Sequence, residues 1–279
     1  MTTDSANDSM EFEYRFTQIL NDAEAMVGRS SLALQDTLLP NVHRYSMPEI
    51  PVWRIHLTAT STFLGIIQCL RTRPSSLSAL SLLRGLIEAW THLYFIADDS
   101  ERDTPSLRAI RFEAGVLHEW ASVKKKMNPE LDYQEIRRKN DIGIMKLWTA
   151  NGGTNQPRRR THTDVTPTLK TMAKFPPLQQ LGTIHASSSI AVHMAAADFL
   201  LESSDFGVSV TWASDARRCA WLQLAVMCFD NLTMCALSST SSDGSEAVIL
   251  DLSRRWRAIY NNELLVSAVA SERAAESNL

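Results

Sequence analysis

The sequence predicts an all-α protein, a single helical bundle of about six long helices. Apolar residues make up 44% of the 279-residue chain and charged residues 21%, which is the balance of a globular protein with a sizeable core. Glycine and proline number only 10 each, so turn formers are few and the elements must be long. Apolar residues recur at helical spacing, and no alternating strand pattern is present.

Four long helices are predicted before residue 128, over about 10–39, 52–72, 76–98 and 103–127. Residues 1–9 are polar and are expected to form a disordered tail. The second helix must end before Pro74, because the residue before a proline disfavours the helical region. Ser75 or Ser76 can cap the third helix, and Pro105 suits the first turn of the fourth.

The second half of the chain is less regular. Residues 140–176 are predicted to form an irregular basic insertion around the segment NGGTNQPRRR. Short helices are expected beside it, near 129–139 and 167–174. A fifth and a sixth long helix are predicted over about 183–202 and 210–238, and a last helix over about 245–272. All of these helices are assigned to one domain over 10–275.

Cysteine usage and hydropathy favour a cytoplasmic location. The four cysteines form no CxxC pair, which is typical of buried thiols in a reducing compartment. The N-terminus is acidic and polar, unlike a secretory signal. The longest apolar run, 219–229, is shorter than the roughly 20 residues that span a bilayer, so no membrane contact is expected.

Basic residues concentrate in the middle of the chain. Residues 121–175 contain twelve basic and five acidic residues, a net charge of +7 in a chain whose net charge is −3. Such a segment could contact RNA phosphates or an acidic partner surface, or could be a solvated region of uneven charge.

A polar stripe interrupts the apolar third helix. Arg84, Glu88 and His92 are four residues apart and therefore share one helix face. Buried charges must be paired, so this stripe is expected to face partners. The later segment IHASSSIAVHM contains possible polar partners, again four residues apart. They are His185, Ser189 and His193.

These segments resemble a widespread, uncharacterised family of bacterial all-helical proteins. ALSLLRGLIEAW is similar to its A-x-x-x-x-R-x-x-x-E motif, and HASSSIAVH to its Y-x-x-x-S-x-x-x-H motif, with His185 in place of the tyrosine. The resemblance covers roughly 50–240 and links the chain to the HEPN group of toxin and defence proteins. It implies a cluster of four side chains, Arg84, Glu88, Ser189 and His193.

Two interpretations of the polar residues concern structure and RNA cleavage. In the first, Arg84 and Glu88 belong to a buried network that fixes helix register. In the second, the chain is a metal-independent ribonuclease of HEPN type. His118 would then take the proton of a 2′-hydroxyl, and Arg111 would stabilise the phosphate charge.

Two further interpretations concern ligands. Four side chains could bind zinc or iron within a bundle, namely Glu88, His92, His185 and His193. Alternatively, a pocket could bind a small anionic ligand at Arg84. The favoured function is an intracellular toxin- or defence-like protein, with ribonuclease as its activity, and no cofactor is assigned. A non-catalytic ligand-binding or scaffold protein and a metalloenzyme are the alternatives, and a homo-oligomer is expected through the 210–238 or the C-terminal helix.

Overall fold

Eight α-helices lie in the part of the chain that the structure describes, and they confirm the all-α class. The computed structural model describes residues 4–38, 47–97, 103–155, 157, 201–204, 207–210, 214–240 and 246–276. The helices are α1 Asp4–Leu38, α2 Glu49–Leu70, α3 Arg73–Ala97, α4 Pro105–Met127, α5 Tyr133–Ala150, α6 Asp215–Thr240, α7 Glu246–Tyr260 and α8 Glu263–Glu276. Two short antiparallel strands, β1 Leu201–Ser204 and β2 Gly207–Val210, place Leu201 opposite Val210.

The main core forms where α2, α3 and α6 pack against one another. Phe63 of α2, Phe229 of α6 and Trp256 of α7 meet there, with ring centroids 4.9–5.7 Å apart. The indole Nε1 of Trp256 donates a hydrogen bond of 3.0 Å to Ser30 Oγ on α1. Four helices are thus joined through one aromatic cluster, whose large rings bury much apolar area.

Helix α6 has the central position that its apolar sequence predicts. Leu222, Ala225, Phe229 and Leu232 are fully buried and face the surrounding helices. Among the described residues, α6 is the one helix that is long and apolar enough, by length and composition, to cross a membrane. More than half of that apolar window is buried within the bundle, as in a core helix.

Helices α4 and α5 form a hairpin with a small core of its own. Ile110 and Ala114 of α4 pack against Ile144 and Trp148 of α5. Both helices begin at a side-chain cap. Thr104 accepts a hydrogen bond from the amide of Leu107, and Asp132 accepts one from the amide of Glu135.

Parts of two segments that were predicted to be irregular are helical. Helix α1 begins at Asp4, so it includes residues 4–9 of the predicted tail, which contain no proline or glycine to stop the helix. Helix α5 extends to Ala150, so the predicted insertion 140–176 begins inside a helix. The reason is that Ile144 and Trp148, four residues apart, bury one face of α5 against α4.

Other boundaries in the second half also differ from prediction. Residues 201–204 form a strand rather than the end of the predicted helix 183–202, and the rest of that helix lies outside the described residues. The predicted helix 245–272 is two helices. The side chain of Asn262 accepts a hydrogen bond from the amide of Leu264 and starts α8 there.

Candidate functional site

The polar stripe on α3 is half-buried and its first two members are paired. Arg84 Nε donates to Glu88 Oε1 at 2.9 Å, and the two side chains are 28% and 17% exposed. One turn further, His92 is buried and its ring packs on Phe112 of α4, with centroids 4.9 Å apart. The stripe is therefore partly buried, with His92 packed against α4, and the partners that the sequence predicts for it lie outside the described residues.

Part of this stripe lines a groove of about 320 Å³ between α2, α3 and α4. Its polar lining is Arg54, Thr58, Thr62, Glu88 and His92, and its other lining residues are Ile55, Gly85, Ala89, Phe112 and Val116. Gly85 lines the groove without a side chain. A Cβ at this position would lie 3.7 Å from Thr62 Cγ2 across the groove, which is ordinary van der Waals contact. A largely apolar concavity with a few polar groups is the usual form of a small-ligand site.

Two Arg–Glu pairs lie at the groove, and one member of each, Arg54 and Glu88, lines it. The guanidinium of Arg54 on α2 is bound to the carboxylate of Glu113 on α4, which joins the two walls. The second pair is that of Arg84 and Glu88 on α3. The side chain of Arg54 is about half exposed. The positive charge of Arg54 and the negative charge of Glu88 cancel in the lining of the groove. Such a lining suits a neutral or zwitterionic ligand, or an anion bound at Arg54.

The proposed ribonuclease residues lie outside this groove. Arg111 is buried and donates from Nη1 to the carboxylate of Asp103, just before α4. Its neighbour Arg108 donates from Nε to the carbonyl of Ile96 at 2.9 Å. Arg108 thus ties the end of α3 to the start of α4, and Arg111 ties the residues just before α4 to that helix. His118 is half-buried two turns further along, a rise of about 10.5 Å from Arg111.

Three predicted site residues fall outside the described residues, and these are His185, Ser189 and His193. Their contact with Arg84 and Glu88 therefore stays a prediction. Within the described ranges, no group of three His, Cys, Asp or Glu side chains is placed to hold a metal ion. The metal site that was predicted from Glu88 and His92 with His185 and His193 also stays a prediction.

A buried ion network that the sequence reasoning missed joins α1, α3 and α6. Arg218 is almost fully buried and donates to both carboxylate oxygens of Glu13, at 2.7 and 3.1 Å. It also donates to the carbonyl of Leu70 at 2.8 Å, and Arg73 bridges Glu13 and Asp215. Burial alone would raise the pKa of Glu13, but the hydrogen bonds and charges of the two arginines outweigh it and hold that pKa low. The signal that could have revealed this network is an arginine placed directly before the apolar run 219–229 of the central helix.

A buried histidine in the main core was missed as well. His56 of α2 is fully buried, and its Nε2 lies 3.4 Å from Thr233 Oγ1 on α6. Its Nδ1 lies 3.4 Å from Thr60 Oγ1, and its ring packs on Phe229. Burial lowers the pKa of His56 to about 4, so the imidazole is neutral at neutral pH. These neutral contacts make it a structural residue.

The four cysteines are free thiols. Cys219 and Cys228 are buried, as the sequence predicts, while Cys69 and Cys235 are half-buried. Burial raises the pKa of Cys219 to about 12 and that of Cys235 to about 12. A thiol with so high a pKa is protonated at neutral pH and is a poor nucleophile.

Comparison of the chain with protein-family models, with curated proteins and with solved structures found no match. The resemblance to the uncharacterised helical family, and its link to HEPN proteins, therefore stays a prediction. The class that the fold and the groove define is an all-α bundle with a small concave site on its surface.

Proposed function

We propose that this chain is a helical binding protein whose groove between α2, α3 and α4 takes a small amphipathic molecule. The observation that carries the proposal is the meeting of Arg54, Glu88 and His92 over an apolar floor in a groove of about 320 Å³. That volume is at the lower end of the range of small-ligand pockets, about 300–1,000 Å³.

The lining indicates the kind of molecule that would bind. Ile55, Phe112 and Val116 offer an apolar surface to the body of the ligand. Arg54 offers an accessible guanidinium, which binds a carboxylate, sulfonate or phosphate in a bidentate manner. The carboxylate of Glu88 accepts hydrogen bonds from a donor at the other end of the ligand. An apolar body with one anionic group therefore fits the groove.

Binding can be tested with 8-anilinonaphthalene-1-sulfonate, which has apolar rings and one sulfonate. Wild-type protein should bind this probe saturably and at one site, as measured by its fluorescence. Thr58→Trp should abolish that binding, because Thr58 lines the groove from the exposed side of α2 and an indole there would fill it. Arg54→Met should weaken the binding about 10-fold or more, by removing a charge-assisted hydrogen bond worth about 1.5–3 kcal/mol.

The neighbouring residue supplies the matched control. Leu57 is also exposed on α2 but does not line the groove, so Leu57→Trp should leave probe binding unchanged. Circular dichroism and thermal melting should show that all variants keep the fold. Equal binding by Thr58→Trp and wild type would refute the proposal, as would the absence of a saturable site.

A metal-independent ribonuclease is the second candidate. It is favoured by the position of His118 on α4, two turns before the exposed run Lys124, Lys125 and Lys126, which could hold an RNA backbone. The ion pair of Arg111 with Asp103 would have to open for Arg111 to reach a phosphate. Cleavage of single-stranded RNA that is lost in His118→Ala, with chelator present throughout, would establish this activity. The toxin or defence role and the cytoplasmic location stay predictions.

A further inference from the structure

A second pocket, of about 260 Å³, lies between α6 and α7. It forms where one face of each helix meets the other, since its lining residues recur every three or four positions. Those that set its chemistry are Val226, Met227, Asp230, Arg257 and Tyr260. The side-chain amide of Gln223 on α6 donates to the carbonyl of Tyr260 at 2.9 Å and joins the two helices beside the pocket. This pocket shares no lining residue with the groove between α2, α3 and α4.

Asp230 is a largely buried carboxylate with few hydrogen bonds. Its Oδ1 is buried and has no donor within the described part of the chain. Its Oδ2 lies 3.4 Å from Ser253 Oγ on α7, which is long for a hydrogen bond to a charged group. Burial raises the pKa of Asp230 to about 6, and the charge of Arg257 and the contact with Ser253 offset only part of that rise. The carboxylate is mostly ionised at neutral pH, and a cation in the pocket would stabilise it.

Arg257 brings the opposite charge to the pocket without pairing with Asp230. It is exposed and lies in the last turn of α7. Among the described residues no ion pair joins the two side chains, so their charged atoms are more than 4.0 Å apart. The positive charge still reaches Asp230, because it lowers the pKa of that carboxyl group. One cation and one anion therefore line the same pocket with space between them, which is the arrangement that a zwitterion fits.

The rest of the lining limits the size and polarity of a ligand. Val226 and Met227 offer an apolar wall, and the flexible thioether of Met227 adapts to different shapes. A volume of about 260 Å³ is slightly below the range of pockets for drug-sized molecules, about 300–1,000 Å³. The pocket therefore suits a small molecule with a short aliphatic part.

We propose that the pocket between α6 and α7 binds a small aliphatic amino acid, with its ammonium group at Asp230 and its carboxylate group at Arg257. Both contacts are charge-assisted hydrogen bonds, and the aliphatic side chain would lie on Val226 and Met227. This proposal is independent of the groove between α2, α3 and α4.

Other classes of ligand answer only part of this lining. An anion alone would be repelled by Asp230, and an amine alone would leave Arg257 without a partner. A metal ion needs several ligating side chains, and the described residues hold no group of three His, Cys, Asp or Glu that could supply them.

Equilibrium dialysis of the wild type with L-leucine tests the proposal. Leucine should bind at one saturable site with a Kd between about 10 μM and about 1 mM, as expected for a ligand of this size. Two analogues serve as competitors. 3-Methylbutylamine lacks the carboxylate group and 4-methylpentanoate lacks the amine, so each should compete about 10-fold less well or worse.

Substitutions at the two charged residues separate contact with the ligand from a structural role. Asp230→Asn should weaken leucine binding about 10-fold or more and should make leucine and 4-methylpentanoate bind equally. Arg257→Gln should have the converse effect, so that leucine and 3-methylbutylamine bind equally. Arg255→Gln is the control. Arg255 is exposed on α7, pairs with Asp251 at 2.8 Å and does not line the pocket, so its loss should leave the Kd unchanged.

Three results would overturn the proposal. The first is a wild type that binds no leucine saturably, and the second is competition by both analogues as strong as that by leucine. The third is leucine binding that Asp230→Asn and Arg257→Gln leave unchanged, including binding that Arg54→Met weakens instead, which would place leucine in the other groove. Circular dichroism and thermal melting identify any variant that does not fold. Arg257 is exposed, so Arg257→Gln decides the matter if Asp230→Asn fails to fold.

Discussion

His56 couples the main core to pH, because its imidazole is buried among apolar rings and hydroxyl groups. The imidazole contacts Thr60 on its own helix and Thr233 and Phe229 on α6. Ser31 of α1 lies behind Thr60, with the two hydroxyl oxygens 3.4 Å apart. None of these groups carries a charge that could stabilise an imidazolium. Protonation in the folded state is therefore costly, whereas the unfolded chain protonates at an ordinary pKa of about 6.5.

The sign of the pH effect follows from this difference. Since the folded pKa is about 4, the unfolded state binds the proton first as pH falls. The free energy of unfolding should drop by about 1.4 kcal/mol per pH unit below about pH 6.5, and by about 3 kcal/mol in total once pH 4 is reached. Chemical denaturation at steps between pH 7.5 and pH 5 measures this slope.

The control for this prediction is His56→Gln, which keeps a polar side chain without a proton to gain. It should be less stable than wild type at pH 7, by about 1–2 kcal/mol, because the amide fits the site less well. The gap between the two proteins should then narrow as pH falls. Parallel pH curves for wild type and His56→Gln would show that this imidazole does not carry the acid sensitivity.

Individual residues differ in how far the sequence alone reveals their contacts. The pair of Arg84 and Glu88 could be predicted, since a spacing of four places the two side chains together on any helix. The contact of His56 with Thr233 could not, because the two residues are 177 positions apart and meet only through the packing of α2 on α6. The groove could not be predicted either, because its lining comes from three helices. The polar stripe on α3 was the one feature of the sequence that pointed to it.

At the scale of an element, the end of α5 shows how backbone geometry stops a helix. Gly152 has a φ of 85°, and the amides of Gly152 and Gly153 donate to the carbonyls of Thr149 and Trp148 at 3.1 and 2.9 Å. This is the Schellman arrangement, in which glycine supplies the left-handed residue. The segment NGG predicts a turn at this point. That α5 continues up to this turn was not predicted, because it depends on the burial of Ile144 and Trp148 against α4.

Two glycines of this region should respond in opposite ways to the same substitution. A Cβ at Gly153 would lie 2.2 Å from Nε1 of Trp148, so Gly153→Ala must displace the indole and should cost about 1–3 kcal/mol. Gly143 lies inside α5 with nothing within 4 Å of its Cβ position. Gly143→Ala should therefore stabilise the protein by about 0.5–1 kcal/mol.

Urea denaturation of both variants beside the wild type measures the two changes. Because each variant adds the same methyl group to the same hairpin, general effects of alanine cancel in the comparison. Equal free energies of unfolding for Gly153→Ala and Gly143→Ala would contradict the close approach of Trp148 to Gly153.

At the scale of the whole molecule, the described part of the chain has two cores that share α4. The main core is built from α1, α2, α3, α6, α7 and Leu265 of α8, and Ala109 and Phe112 of α4 join it. The smaller core holds α5 through Ile144 and Trp148. Composition and periodicity predict the helical class, since they report on local spacing. They do not predict this division, because it depends on which face of α4 meets which partner.

The unequal size of the two cores should appear as two levels of stability. Helix α5 buries few side chains, so its amides should exchange with solvent through a local opening that leaves the main core folded. Native-state hydrogen exchange should therefore show lower protection in α5 than in α2, α3 and α6.

Trp148→Ala should remove most of the protection of α5 and change that of α6 by less than about 1 kcal/mol. Trp256→Ala, which opens a cavity in the main core, should lower protection in α2, α3 and α6 by about 3–5 kcal/mol at most. A uniform loss of protection in Trp148→Ala would show instead that the hairpin and the bundle unfold as one unit.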